Sequence, residues 1–268
     1  MLRTTAVLLL IVACTAGLEA GDPPFVPHGA KEMGIAFSAS ATQGHWSCFN
    51  NQALLTGVSG ISISASLETR FMLPELSSKA LSAVIAGTPV PLGIVATHYG
   101  NGDYYRIFTG LCSAVTLTKG ISLGVQVDYI SEKGAGDYSD VSHVTFEAGM
   151  TMILSPSLTG GLHVFNPLKP LNTLPSAIST AIQWRQSDDL LLTLGGSKMS
   201  GEPLSVQCGI NWEILERLSI RSGYMSSPSS FSFGLGFRTG SLQTDAGFLV
   251  NGTTGITSSL SFIWTVRK

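Results

Sequence analysis

Val206-Gln207-Cys208-Gly209-Ile210-Asn211-Trp212-Glu213-Ile214 alternates apolar with polar or tiny residues without a break. Ile121-Ser122-Leu123-Gly124-Val125-Gln126-Val127-Asp128-Tyr129 repeats the pattern. A strand sends successive side chains to opposite faces, so each segment has one greasy wall and one polar or small wall. Working outward from these two, alternation bounded by turn residues marks fourteen strands. They lie near 59–69, 79–88, 90–99, 104–118, 120–131, 142–154, 157–165, 175–186, 189–197, 203–215, 217–226, 230–239, 241–250 and 256–266. No helical partner follows that could cover them, so the series is expected to close on itself. The polar face carries Gln126, Asp128, Glu147, Gln183, Arg185, Gln207, Asn211, Glu213, Arg238 and Asp245. A soluble sandwich turns such residues to water, whereas a membrane barrel encloses them and gives its apolar face to lipid.

Composition favours the second arrangement. Only 12% of the 268 residues are charged, against about 25% in an ordinary soluble domain. A lipid-facing wall needs no charge. A net charge of −2 leaves no basic footprint for nucleic acid. The fold class expected is all-β: a transmembrane antiparallel β-barrel of about fourteen strands with an N-terminal plug.

Residues 1–20 read as a secretion signal: Arg3, an apolar run from Ala6 to Ala13, and small residues with cleavage after Ala20. The run is too short to span a bilayer as a helix. Ile11-Val12-Ala13-Cys14 also fits a loose lipoprotein cleavage site, so Cys14 carries two readings. Residues 21–57 form a pre-barrel segment with Pro23, Pro24 and Pro27 and a poor two-residue period. Its apolar groups, among them Ile35, Phe37, Trp46 and Phe49, need a surface to bury against, and the barrel lumen is the nearest one. The periplasmic half of the barrel is the expected location. Residues 58–268 form the barrel. Export without a spanning helix points to a bacterial outer membrane.

The connections give a separate check. The first, third, fifth and later odd links are longer, as at 70–78 and 132–141, while the even links are tight, as at Lys119-Gly120 and Glu216. Outer-membrane barrels have short periplasmic turns and longer outside loops. Tyr129, Trp184, Trp212, Tyr224 and Trp264 fall on apolar faces toward strand ends, the height of an interfacial girdle. Without Cys14, three cysteines remain, an odd number that gives no complete disulfide framework; Cys112 lies on a polar face and Cys208 on an apolar one. Both are read as small apolar residues.

GAKEMGIAFSASATQGHWSCFNNQALL, Gly29 to Leu55, resembles the opening of FadL-type barrels, especially the PorV/PorQ-like proteins of Bacteroidota. Gly29-Ala30, Met33-Gly34 and Ala36-Phe37 match, Trp46 takes the aromatic position, and Asn51 and Ala53 match a second block. Gln52 and Leu54 replace the proline and glycine of that block, so the turn is expected to be remodelled. RFMLPELSSKAL from Arg70, GVQVDYI from Gly124 and GGLHVFNP from Gly160 follow the spacing of the same family. The resemblance implies a fourteen-stranded barrel whose N-terminal segment enters or caps the lumen. It implies either passage of small hydrophobic molecules or service to type IX secretion.

The chemistry-bearing residues show no enzyme pattern. Five histidines lack metal-ligand spacing, no cysteine pair has zinc spacing, and the glycine-rich stretches lack the context of a phosphate cradle. No cofactor, no metal and no catalytic residue are expected. The candidate lumen-lining or ligand-binding residues are Trp46, Asp128, Glu147, Arg185, Glu213, Arg221, Arg238 and Asp245. Their mixed signs suit mutual neutralisation across one lumen better than a selectivity ring. Inward positions such as Gln126 are expected to tolerate an added charge, and outward ones such as Val125 are not. The expected role is a conduit for small hydrophobic molecules, with a secretion or surface-assembly scaffold as the alternative. The corresponding partners are outer-membrane lipid, a hydrophobic small molecule or a secreted protein.

Overall fold

The computed structural model describes residues 28–134, 139–168 and 174–266. The expected signal at 1–20 and the start of the expected pre-barrel segment lie outside the described residues. Fourteen antiparallel strands form one closed barrel in which every strand pairs with its neighbours in sequence. They are β1 (Gly60–Thr69), β2 (Ser77–Ala86), β3 (Leu92–Gly100), β4 (Tyr105–Thr118), β5 (Ile121–Lys133), β6 (Val141–Ser155) and β7 (Leu158–Phe165). The others are β8 (Ala177–Arg185), β9 (Leu190–Met199), β10 (Ser205–Leu215), β11 (Leu218–Ser226), β12 (Ser229–Thr239), β13 (Leu242–Asn251) and β14 (Gly255–Val266). Closure runs from Ile61 opposite Val266 to Thr69 opposite Ser258, leaving no free sheet edge.

Alternation settles which face is which. On β12, Phe231, Phe233, Leu235 and Phe237 are 52–59% exposed, while Ser230 before them and Ser232 among them are buried. The same order holds on β5, where Val125 and Val127 face out and Gln126 and Asp128 are buried. A continuous apolar exterior of this kind is untenable in water and is the surface a bilayer solvates. Among the described residues no helix is long and apolar enough to cross a membrane.

The two ends differ. Links at 70–76, 134–140 and 166–176 are long, and those at 119–120, 156–157, 216–217 and 240–241 are two-residue turns. Three register shifts, at Thr116/Thr118, Ile153/Ser155 and Glu213/Leu215, all adjoin two-residue turns at the same end. Bulges at a barrel rim tighten twist where the chain reverses. Trp184, Trp212 and Trp264 stand half-exposed on the outer wall, paired with Leu158, Leu190 and Leu242 beside those short turns. Tyr129 lies on the outer wall toward the long-loop end. Indole and phenol groups at these two heights fit the membrane–water interfaces.

Candidate functional site

The lumen is occupied by residues 28–57, which carry two short helices, α1 (Ala30–Gly34) and α2 (Ser47–Asn50), and a 3-10 helix, Gln52–Gly57. Short helices like these gain little from propensity and need tertiary packing. Here the wall supplies it, through inward-facing glycines. A Cβ at Gly247 or Gly161 would overlap the carbonyl oxygen of Ala30 or Ser40. One at Gly209 or Gly223 would crowd Ile35, and one at Gly149 or Gly124 would overlap the Asn51–Ala53 turn. The segment therefore runs around the inside of the barrel as a belt, from β13 through β7 to β5. It crosses the middle of the strands at Gly34 and Ile35 and reaches the half beside the short turns at His45, near Thr265, and at Thr56, which bonds Ser122. Gly234, at the centre of β12, faces the Gly34 backbone, and Phe49 packs on Phe108 near the long-loop end of β4.

Hydrogen bonds fix the belt where glycine makes room. Ser261 Oγ accepts from Ala30 N at 3.4 Å, and Ser232 Oγ donates to Gly34 O at 3.0 Å. Ala36 and Phe37 both adopt left-handed backbone, φ 54° and 59°, which non-glycine residues rarely do. The strain is held by Ser38, whose hydroxyl donates to Ile35 O and meets Thr193 Oγ1 on β9, each at 2.6 Å. Ser40 Oγ donates to Ser179 on β8 at 2.9 Å. Asn51 uses its whole amide: Nδ2 donates to Ser40 O at 2.6 Å and to Met150 O at 3.1 Å, and Oδ1 accepts from Ala53 N at 3.1 Å.

Two buried polar networks join belt and wall. In the first, Gln52, which replaces a proline in the family resemblance, donates through Nε2 to Cys48 O at 3.0 Å and to Glu147 Oε2. Proline has no such donor, which gives the remodelled turn a physical role. His163 Nε2 meets the same Glu147 oxygen at 2.8 Å, and Gln126 donates to Asp128 at 2.9 Å. All five side chains are essentially inaccessible. Gln126 is packed, not lumen-exposed, so the expectation that it would tolerate an added charge is corrected: an arginine there has no water to reach.

The second network is centred on Arg221. Its guanidinium donates to Asp245 at 2.8 Å, Asn211 at 2.7 Å and Ser219 at 2.8 Å, and Gln243 donates to the other Asp245 oxygen at 2.7 Å. A buried ion pair is tolerable when its remaining donors and acceptors are met in this way. On the belt, Glu32 is buried against it, and one carboxyl oxygen has no hydrogen-bond partner. Burial first of all raises its carboxyl to about 7, with Lys31 acting in the opposite sense. Burial likewise lowers His28 to about 3 and His45 to about 4. Gly29, at φ +114°, leaves the space beside Glu32 and Trp46 that any side chain would fill.

The eight sequence-selected residues thus divide. Trp46, Asp128, Glu147, Arg221 and Asp245 are buried within the filled lumen. Arg185, Glu213 and Arg238 stand at the rim beside the short turns, and of these Arg238 reaches the second network by donating to Gln243 Oε1 at 3.4 Å. There, Arg185 and Gln183 border a recess of about 300 Å³, and Arg238 with His45 and Gln43 borders another of about 260 Å³. Trp46 belongs to an apolar cluster with Phe49, Leu55, Phe108, Ile130 and Phe165, so the belt and wall share a hydrophobic core. Sequence reasoning missed Gln52, Asn51 and the glycine seat. The inward parity of Gly124, Gly149, Gly209, Gly223 and Gly247 was the signal that could have found the seat.

The fold is that of solved bacterial outer-membrane channels. The toluene transporter TbuX of Ralstonia pickettii superposes with a TM-score of 0.74 at 12% identity, covering 91% of this chain and 100% of that one. The monoaromatic hydrocarbon channel CymD gives 0.71 at 13% identity, with 92% and 100% covered. A FadL homologue of Pseudomonas aeruginosa gives 0.68 at 12% identity, with 93% and 100% covered. No protein-family profile and no curated protein sequence matches the chain.

Proposed function

We propose that this barrel is an outer-membrane conduit for small hydrophobic molecules, closed at rest by the belt of residues 28–57. The observation that carries the reading is the apolar cluster around Trp46 and Phe49 inside a membrane barrel. A barrel lumen built only for rigidity could be filled with paired polar groups. Here an apolar surface is formed between a separable segment and the wall, so displacing the segment would uncover an apolar path. The fold shared with channels described as toluene and monoaromatic hydrocarbon transporters supports the same class of cargo. The eight residues selected from the sequence take two roles in this reading. Trp46, Asp128, Glu147, Arg221 and Asp245 set the closed state, and Arg185, Glu213 and Arg238 border the exit. With both termini of the barrel and the short turns on the periplasmic side, the recesses at that rim are where cargo leaves.

A scaffold role in secretion or surface assembly is the second reading, favoured by one observation: strand pairing is continuous around the wall and the lumen is filled. Outer-membrane vesicles with and without the protein separate the two. The conduit reading expects radiolabelled toluene to enter several-fold faster when the protein is present. Equal entry rates would reject the conduit and leave the scaffold.

A further inference from the structure

The belt and the wall each contribute one buried cysteine to the same spot. Cys48 sits on α2 and Cys112 on β4, both inaccessible to solvent, and their Sγ atoms are 3.0 Å apart. A thiol is a weak donor and a weak acceptor, so a thiol–thiol hydrogen bond is a poor reason for this approach. The space is kept open by Gly93, which pairs with Cys112 across β3 and β4. A Cβ at Gly93 would fall 2.5 Å from the Cys48 sulfur and 2.7 Å from that of Cys112. The third cysteine of the described residues, Cys208, is exposed on the outer wall of β10, remote from this pair in the strand order. The odd count therefore hid one matched pair and one leftover.

We propose that Cys48 and Cys112 form a disulfide in the mature protein, a covalent staple between plug and barrel wall. The bacterial envelope is an oxidising compartment in which such bonds form and persist. The oxidant required is a disulfide-bearing thiol oxidant, R–S–S–R. The thiolate of Cys48 attacks one of its sulfurs, giving the mixed disulfide Cys48–S–S–R and releasing R–S⁻. The thiolate of Cys112 then attacks Cys48 Sγ and expels the second R–S⁻. The two protein thiols lose two protons and two electrons, and the oxidant is reduced to two thiols. Exchange happens while the segment is docking, before Gly93 and its surroundings bury both sulfurs. The staple anchors α2 to β4, so only the arm before Cys48, lying on β7 to β14, is free to leave the wall.

Trypsin places each cysteine in its own peptide: residues 32–70, 107–119 and 199–217. Full-length protein from acid-quenched cells is denatured with iodoacetamide, digested and analysed by mass spectrometry. The staple predicts 32–70 linked to 107–119 in the majority of molecules, with 199–217 alkylated. Dithiothreitol before alkylation abolishes the linked species and leaves all three peptides alkylated. Recovery of 32–70 and 107–119 mostly as separate alkylated peptides without reduction would overturn the proposal, as would a link to 199–217. Hydrocarbon entry plays no part in this measurement, so it stands or falls apart from the conduit reading.

Discussion

At the residue scale, the closed state depends on side chains that are missing as much as on those present. Gly161 on β7 faces the Ser40 backbone so closely that a Cβ overlaps it. Overpacking of this kind costs about 1–3 kcal/mol. Gly161→Val should leave a heat-modifiable, folded barrel whose segment 28–57 becomes sensitive to protease. Gly102→Val, in a loop with open space around it, should behave as the parent does. Glu32 gives a pH test with a defined sign. Its carboxyl is raised to about 7 from 4.5, so the docked belt holds more protons than the released belt between those values. That contribution to docking is complete below 4.5 and is lost as pH rises to about 7, amounting to ~3 kcal/mol. His28 and His45, lowered by burial, act in the opposite direction, weakening docking as pH falls below 6.5. At pH 8 the histidines are silent, and Glu32→Gln should show slower amide exchange across 28–57 than the parent. At pH 5 the difference should shrink. An equal difference at both pH values would remove Glu32 from the account.

At the element scale, the strands were legible because a lipid-facing wall makes alternation strict. Outward positions are free to be large and apolar, as Phe231 to Phe237 show, and inward ones are mostly polar or small, apart from those such as Phe108, Ile130 and Phe165 that share the core with the belt. All fourteen strands read from the sequence are present, with ends moved by a few residues. The belt was legible only as a need for burial, since its short helices and its left-handed Ala36-Phe37 turn take their shape from the wall. The buried carboxylates and arginine were found by parity. Their separation from the rim residues Arg185 and Glu213 was not, because parity gives the face and says nothing of depth or of what fills the lumen. The same limit misjudged Gln126. Link length remains the sequence-level guide to orientation. Cysteine placed at Thr253, in the exposed link between β13 and β14, should react with an impermeant maleimide on intact cells. Cysteine at Lys119 or Ser187, at the end that carries the turns at 119–120, 156–157, 216–217 and 240–241, should not. Reversed labelling would invert the barrel in the membrane.

At the scale of the whole molecule, the wall and the belt have different dependences. The wall closes through β1 and β14 and satisfies its backbone without the belt. The belt, irregular and rich in polar backbone, is tolerated at membrane depth only because protein surrounds it. Removing it should therefore leave an assembled barrel with a lumen lined by glycine, serine and the now-hydrated Glu147 and Arg221 networks. Planar-bilayer conductance of the intact protein against a variant lacking residues 28–57 tests this claim most directly. The account predicts near silence from the intact protein and steady, stepwise ion conductance from the variant. Large, steady conductance from the intact protein, or silence from a correctly assembled variant, would contradict it.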